Sequence, residues 1–155
     1  AIVAALPPGG YTAILFGNRD TIGRGLVEIY DLSPASGRLG NIATRGSVAT
    51  GDDVMIAGFI ITGPEHKRIT IRGLGPSLRS TVPGALPDTS LDLLNANGML
   101  VASATGSVNH GDPLDPTDPK DTILTTDIVP GNYTAILQSP SRATGIGLIE
   151  VYDGD

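Results

Sequence analysis

The run Pro130-Gly131-Asn132-Tyr133-Thr134-Ala135-Ile136-Leu137, followed by Gly147-Leu148-Ile149-Glu150-Val151-Tyr152-Asp153, decides how this chain is read. It has already occurred once, as Pro8-Gly9-Gly10-Tyr11-Thr12-Ala13-Ile14-Leu15 and Gly25-Leu26-Val27-Glu28-Ile29-Tyr30-Asp31. The two copies lie 122 residues apart, need no gap, and agree at 13 of the 24 positions from Pro8 to Asp31. The chain therefore holds one full period and the closing part of another. Self-similarity at a fixed period points to arrays and fibres more readily than to enzymes.

The differences between the copies are as informative as the identities. Phe16 to Ile22 and Gln138 to Thr144 share nothing, while both flanks are held. That is the pattern of two packed strands joined by a free loop. The held segments are short, rich in β-branched and aromatic residues, and bounded by Pro-Gly or Gly-x-Gly, so each reads as a strand and each copy as a β-hairpin. In extended chain Tyr11, Ala13 and Leu15 share one face and Thr12, Ile14 and Phe16 the other. With both faces largely apolar, the hairpins are expected to be covered on two sides.

A lone two-stranded hairpin is marginal in water, so residues 1–31 need a partner. The partner is either the rest of the same chain or a neighbouring molecule, in which the arm would fill the place that the second hairpin fills here; strand addition at a sheet edge would then join molecules head to tail. The residues expected to make such contacts are Tyr11, Ile14, Phe16, Leu26, Ile29 and Tyr30. The organisation read from the chain is an assembly arm over 1–31 and a sandwich domain over 37–153, the latter ending in the hairpin 130–153.

Between the copies the turn signals recur at strand spacing, and no segment keeps a helical apolar stripe for two turns. Strands are expected near Asn41 to Ala49, Asp53 to Thr62, Lys67 to Arg72, Ser90 to Leu94, Met99 to Ser103 and Thr122 to Thr126, with one helical turn near Ser77 to Thr81. Asn97-Gly98 supplies the positive φ of a tight hairpin turn. The fold class is all-β: an antiparallel, jelly-roll-like β-sandwich with an additional amino-terminal hairpin.

Composition narrows the function. Charged residues make up 17% of the 155 and aromatic residues 4%, with a net charge of −6. The ten Lys and Arg are scattered, so a nucleic-acid partner is not expected. The longest apolar stretch, Val54 to Ile61, is too short to span a bilayer, so no membrane insertion is expected. The absence of cysteine removes disulfides and thiolate chemistry and leaves the compartment open. Ala1 to Leu6 lacks a basic flank and reads as the start of a mature or processed chain.

Candidate chemistry is sparse. Asp112, Asp115, Asp118 and Asp121 recur at every third residue, which in a polyproline II ribbon aligns them on one edge. Calcium is the ion to weigh, but neighbours on that edge stand about 9 Å apart, too far to share it, so a rigid acidic linker is the preferred reading. No other cofactor is expected. Gly51-Asp52-Asp53 fits a turn. His66 and His110 have no nucleophile at motif spacing, and Gly73 to Ser77 lacks the lysine of a phosphate loop, so no enzyme is expected. Glu28 and Glu150 fall mid-strand among apolar residues, where Arg45 and Arg72 are the expected ion-pair partners. Asn132-Tyr133-Thr134 matches a glycosylation pattern that the first copy, with Gly10, lacks.

Asn41 to Gly46, Thr50 to Ile61, Ile71 to Leu78, Pro116 to Pro119 and the closing Tyr133 to Leu137 with Gly147 to Tyr152 together resemble a bacterial family of tandem β-rich repeats. These occur in large secreted or surface proteins and have no assigned activity. The resemblance implies a repeat from about Gly37 to Asp153, with residues 1–31 as the tail of a preceding one. Ser90 to Ser103 with Pro130 to Ile136 also looks like the small sandwich domains appended to secreted peptidases. These likenesses imply an extracellular protein, secreted or on the cell surface. The leading expectation is a homo-oligomeric structural protein forming a fibre or surface array by head-to-tail strand contacts. The other is a carbohydrate- or surface-binding adhesion module of a larger secreted protein.

Overall fold

The computed structural model describes residues 1–32, 39–108 and 111–154. The chain divides into two compact units, Ala1–Leu39 and Gly40–Asp155. His110 and the expected domain start at Gly37 lie outside the described residues.

The second unit is a β-sandwich of eight strands: β1 Asn41–Val48, β2 Met55–Ile61, β3 Lys67–Leu74, β4 Ser90–Asn95, β5 Leu100–Thr105, β6 Thr122–Ile128, β7 Gly131–Gln138 and β8 Gly145–Asp153. Every named pairing is antiparallel, in two four-stranded sheets ordered β1-β8-β3-β6 and β2-β7-β4-β5. This is the strand order of a jelly roll. Alternation along the strands makes the core: Met55 and Phe59, Ile69 and Ile71, Leu91 and Leu93, Leu124 and Ile128, Tyr133, Ala135 and Leu137, Ile149 and Val151 all point between the sheets. Phe59 and Tyr133 stack with ring centroids 5.7 Å apart.

Among the described residues, β4 and β5 are the only consecutive strands that lie side by side. Their turn is built as the sequence requires: Gly98 has φ 74°, Gly98 N–H donates to Asn95 O at 2.9 Å, and Asn95 Oδ1 accepts from the N–H groups of Asn97 and Met99. The expected helical turn is a 3-10 helix at Pro76–Leu78.

The closing segment corrects the hairpin expectation. Strands β7 and β8 lie in opposite sheets: β7 is bonded to β2 and β4, and β8 to β1 and β3. Residues 130–153 therefore form an arch that crosses the sandwich. The physical reason lies in the inward faces. Leu137 is fully buried, and a Cβ at Gly147 would stand 2.9 Å from its Cδ2, so the two strands meet face to face across the core.

In the first unit, the described residues contain no strand, and the only regular element is a 3-10 turn at Asn18–Asp20. The expected amino-terminal hairpin is thus absent as a hydrogen-bonded ladder. A strand pair bonded to nothing on either edge has little to hold it in register.

Candidate assembly arm

Although it lacks a ladder, the first unit repeats the local geometry of the closing arch. Tyr133 Oη donates to Val129 O at 2.8 Å, and Tyr11 Oη donates to Pro7 O at 2.7 Å, four residues back in both cases. Leu137 crowds Gly147, and Leu15 crowds Gly25 at the corresponding place. The crossing loop carries a left-handed residue in each copy, Arg142 with φ 60° and Asp20 with φ 59°. Residues 8–31 are thus bent into an arch, with the two segments brought together by Leu15 over Gly25. The lack of a side chain at Gly25 leaves room for the Leu15 methyl.

What separates the copies is burial. Tyr133, Leu137, Ile149 and Val151 are 7%, 0%, 1% and 9% exposed, whereas Tyr11, Leu15, Val27 and Ile29 are 57%, 58%, 49% and 54% exposed. Ile14, Phe16, Leu26 and Tyr30 are also largely exposed, as are Ile2, Val3 and Leu6 ahead of them. All six residues expected to make assembly contacts therefore present apolar surface to solvent. Where such side chains lie together, exposed apolar surface marks an interaction site.

The charged residues divide the same way. Arg72 Nε and Glu150 Oε2 stand 3.2 Å apart, with side chains 18% and 14% exposed, and the guanidinium carbon lies 6.0 Å from the Tyr152 ring centroid. Neither of those two atoms has a well-aligned hydrogen bond, so the contact is an electrostatic one. Burial, with the Glu150 charge, pushes the Tyr152 phenol above its ordinary value. In the first unit Glu28 Oε1 instead accepts a 3.2 Å hydrogen bond from Tyr30 Oη, which raises that phenol. Arg45 faces Leu148 in the β1–β8 register, and Glu150 faces Ala43.

The four aspartates do not line one edge. Asp112 and Asp115 close a turn on themselves: Asp112 N–H donates to Asp115 Oδ2 at 2.9 Å, and Leu114 N–H to Asp112 Oδ1 at 2.8 Å. Asp118 accepts from Lys120 N–H at 2.9 Å. Asp121 is fully buried and holds the 73–77 turn, accepting from Gly75 N–H at 2.7 Å, Ser77 N–H at 3.1 Å and the Ser77 hydroxyl. The expected acidic ribbon is therefore a set of backbone caps, because short polar side chains bond nearby N–H groups in turns. Among the described residues, no group of three or more His, Asp or Glu is placed to hold a metal ion.

Several polar anchors carry no sequence motif. Thr89 Oγ1 donates to Gly73 O at 2.8 Å, and Thr122 Oγ1 donates to Thr89 O at 2.6 Å, both in the buried interior. Asp88 accepts from the Ser139 hydroxyl and from Ser141 N–H at 3.4 Å, and so ties down the loop where the closing arch crosses. The Asp52-Asp53 segment is the turn expected, with Ala49 N–H donating to Asp53 O at 2.8 Å. Asn132 is exposed on β7, opposite Ile60. No helix of the described residues is long and apolar enough to cross a membrane.

No protein-family model matches the chain, and no curated protein matches it. A solved structure similar in part is the 1.0 Å crystal structure of the pre-peptidase C-terminal domain of a collagenase from Bacillus anthracis. It is 18% identical, with a TM-score of 0.47, over 72% of this chain and 88% of that one.

Proposed function

We propose that the chain is a non-enzymatic structural protein of the cell exterior, a unit of a fibre or surface array whose repeat bodies are joined head to tail through strand contacts of the amino-terminal arm. The observation that carries this reading is the contrast between the two arches. One is the packed centre of a complete sandwich, and the other keeps the same bend while its apolar side chains stay in solvent. A protein gains nothing from exposing Tyr11, Phe16, Leu26 and Tyr30 together unless another surface covers them. A repeat joined by a heterologous contact propagates without closing. The exterior location rests on the motif resemblance.

The test compares the full chain with a chain lacking residues 1–32, by light scattering on a sizing column and by negative-stain electron microscopy. The full chain is expected to form multimers that grow with concentration, and the shortened chain to remain monomeric. Equal masses for the two at every concentration would overturn the reading.

A further inference from the structure

In the sandwich the closing arch fills a double slot. Strand β7 lies between β2 and β4 in one sheet, and β8 between β1 and β3 in the other. Both edges of both strands are hydrogen-bonded, so without the arch each sheet would fall into two parts. A slot of this form accepts only a segment that puts one strand into each sheet, and a flat hairpin does not. Residues 8–31 already have that bend.

The inward positions of the closing arch are matched in kind by the first copy. Tyr11, Ala13 and Leu15 repeat Tyr133, Ala135 and Leu137, and Gly25, Val27 and Ile29 stand for Gly147, Ile149 and Val151, all inward-facing positions. Ala135 is fully buried, so a small residue is required there, and Ala13 supplies it. Glu28 stands where Glu150 meets Arg72 across the β3–β8 pair. The crossing loop, Phe16 to Ile22 against Gln138 to Thr144, shares no residue, and the remaining differences between Pro8 and Asp31 fall at Gly10, Arg24, Val27 and Ile29. Upstream, Ala1 to Leu6 fall on Ile123 to Ile128 of β6, and Ile2 and Leu6 stand at the places of the buried Leu124 and Ile128.

We infer that residues 1–31 are the last three strands of a sandwich of this same repeat, and that the surface they fit is a second body of this repeat type, comprising β1 to β5, whose arch slot is vacant. This rests on the head-to-tail reading and specifies its receiving end. A body of this chain receives the arm only where its own residues 130–153 have left the slot, as in an exchange between copies, so the receiving body is one that depends on the arm for its β6, β7 and β8. It presents unpaired edges of its β1, β2, β3 and β4 strands and an arginine at the place of Arg72, to meet Glu28.

The experiment keeps the full chain and adds a second copy of residues 41–122 directly ahead of Ala1, which restores the period. Amide hydrogen exchange is then followed at 11–16 and 25–30. These amides are expected to slow by at least about a hundredfold relative to the single chain, to the level of 133–138 and 147–152. Leu15→Asp in the fusion is expected to return both the arm and the added copy to fast exchange and leave 130–153 protected. Unchanged exchange at 11–16 and 25–30 in the fusion would overturn the inference. If the added copy aggregates, the full chain carrying Leu137→Asp and Ile149→Asp supplies the vacancy instead. Slowed exchange in the arm then supports the inference, and fast exchange overturns it. Association of separate chains is not read in either experiment. Multimers of the unmodified chain combined with an unprotected arm in the fusion would mean that the arm joins bodies elsewhere than in the slot.

Discussion

The two arches agree at 13 of 24 positions and share the same bend, yet only one is made of strands. Residues 130–153 carry β7 and β8, each paired on both edges, whereas residues 8–31 keep the Tyr–carbonyl bond and the Leu-over-Gly contact without a ladder. The arch conformation is therefore local and belongs to the segment. The strand state belongs to its neighbours. Strand propensity behaves this way in general, since it measures how a side chain packs on adjacent strands rather than a backbone preference.

The largest test of that contrast is to delete the same side chain twice. Leu137 is fully buried against Gly73 and Gly147, so Leu137→Ala is expected to cost about 2–5 kcal/mol through lost burial and an unfilled cavity. Leu15 is more than half exposed, and Leu15→Ala is expected to stay within about 0.5 kcal/mol. Urea denaturation of the two variants measures both. Equal losses would mean that the first arch contributes to the folded state as the second does, and the distinction between them would fail.

A smaller effect separates the glutamates. Glu150 and Arg72 are both mostly buried, so Glu150→Gln leaves a desolvated guanidinium with a neutral partner, at an expected cost of about 1–2 kcal/mol. Glu28 is exposed and hydrogen-bonded to the neighbouring Tyr30, so Glu28→Gln is expected to leave the unfolding midpoint where it is. A shift of similar size in both variants would place Glu28 in an ion pair as strong as that of Glu150.

These pairs also show how far the sequence could be read. The positions of β1 to β6 follow from alternation and turn residues, and the Asn95 to Gly98 hairpin follows from one Asn-Gly step, because both signals are local. The sheet to which a strand belongs is not local. The β7–β8 loop, from Ser139 to Thr144, suits a hairpin as well as an arch. Pairing of β8 with β1, about a hundred residues earlier, settles which one forms. One signal did point to the arch: small residues kept at inward positions in both copies, Ala13 with Ala135 and Gly25 with Gly147, mark a strand enclosed on all sides. Asp121 departs from its expected place on an acidic ribbon for the complementary reason. In the sequence it is the last of four evenly spaced acids, while its burial depends on Gly75 and Ser77, more than forty residues away.

The smallest expected effect lies at the crossing loop, where the copies share no residue. Ser139 and Ser141 bind Asp88, and the corresponding positions in the first copy are Gly17 and Arg19, which carry no hydroxyl. Partial burial pushes the Asp88 carboxyl up, but the hydrogen bonds from Ser139 and Ser141, with the charge of Lys120, outweigh it and hold the group below its ordinary value. A carboxyl whose value is lower in the folded chain than in the unfolded one stabilises the fold above the unfolded value. That contribution is lost as pH falls through the folded one. Wild type is therefore expected to lose more stability than Asp88→Asn on acidification below the ordinary aspartate range. Solvent screening limits the difference to about a few tenths of a kcal/mol. Denaturation midpoints measured from neutral pH downward would reveal it. If the two proteins track each other throughout, Asp88 fixes the crossing by geometry alone, and the charge plays no part in separating the packed arch from the open one.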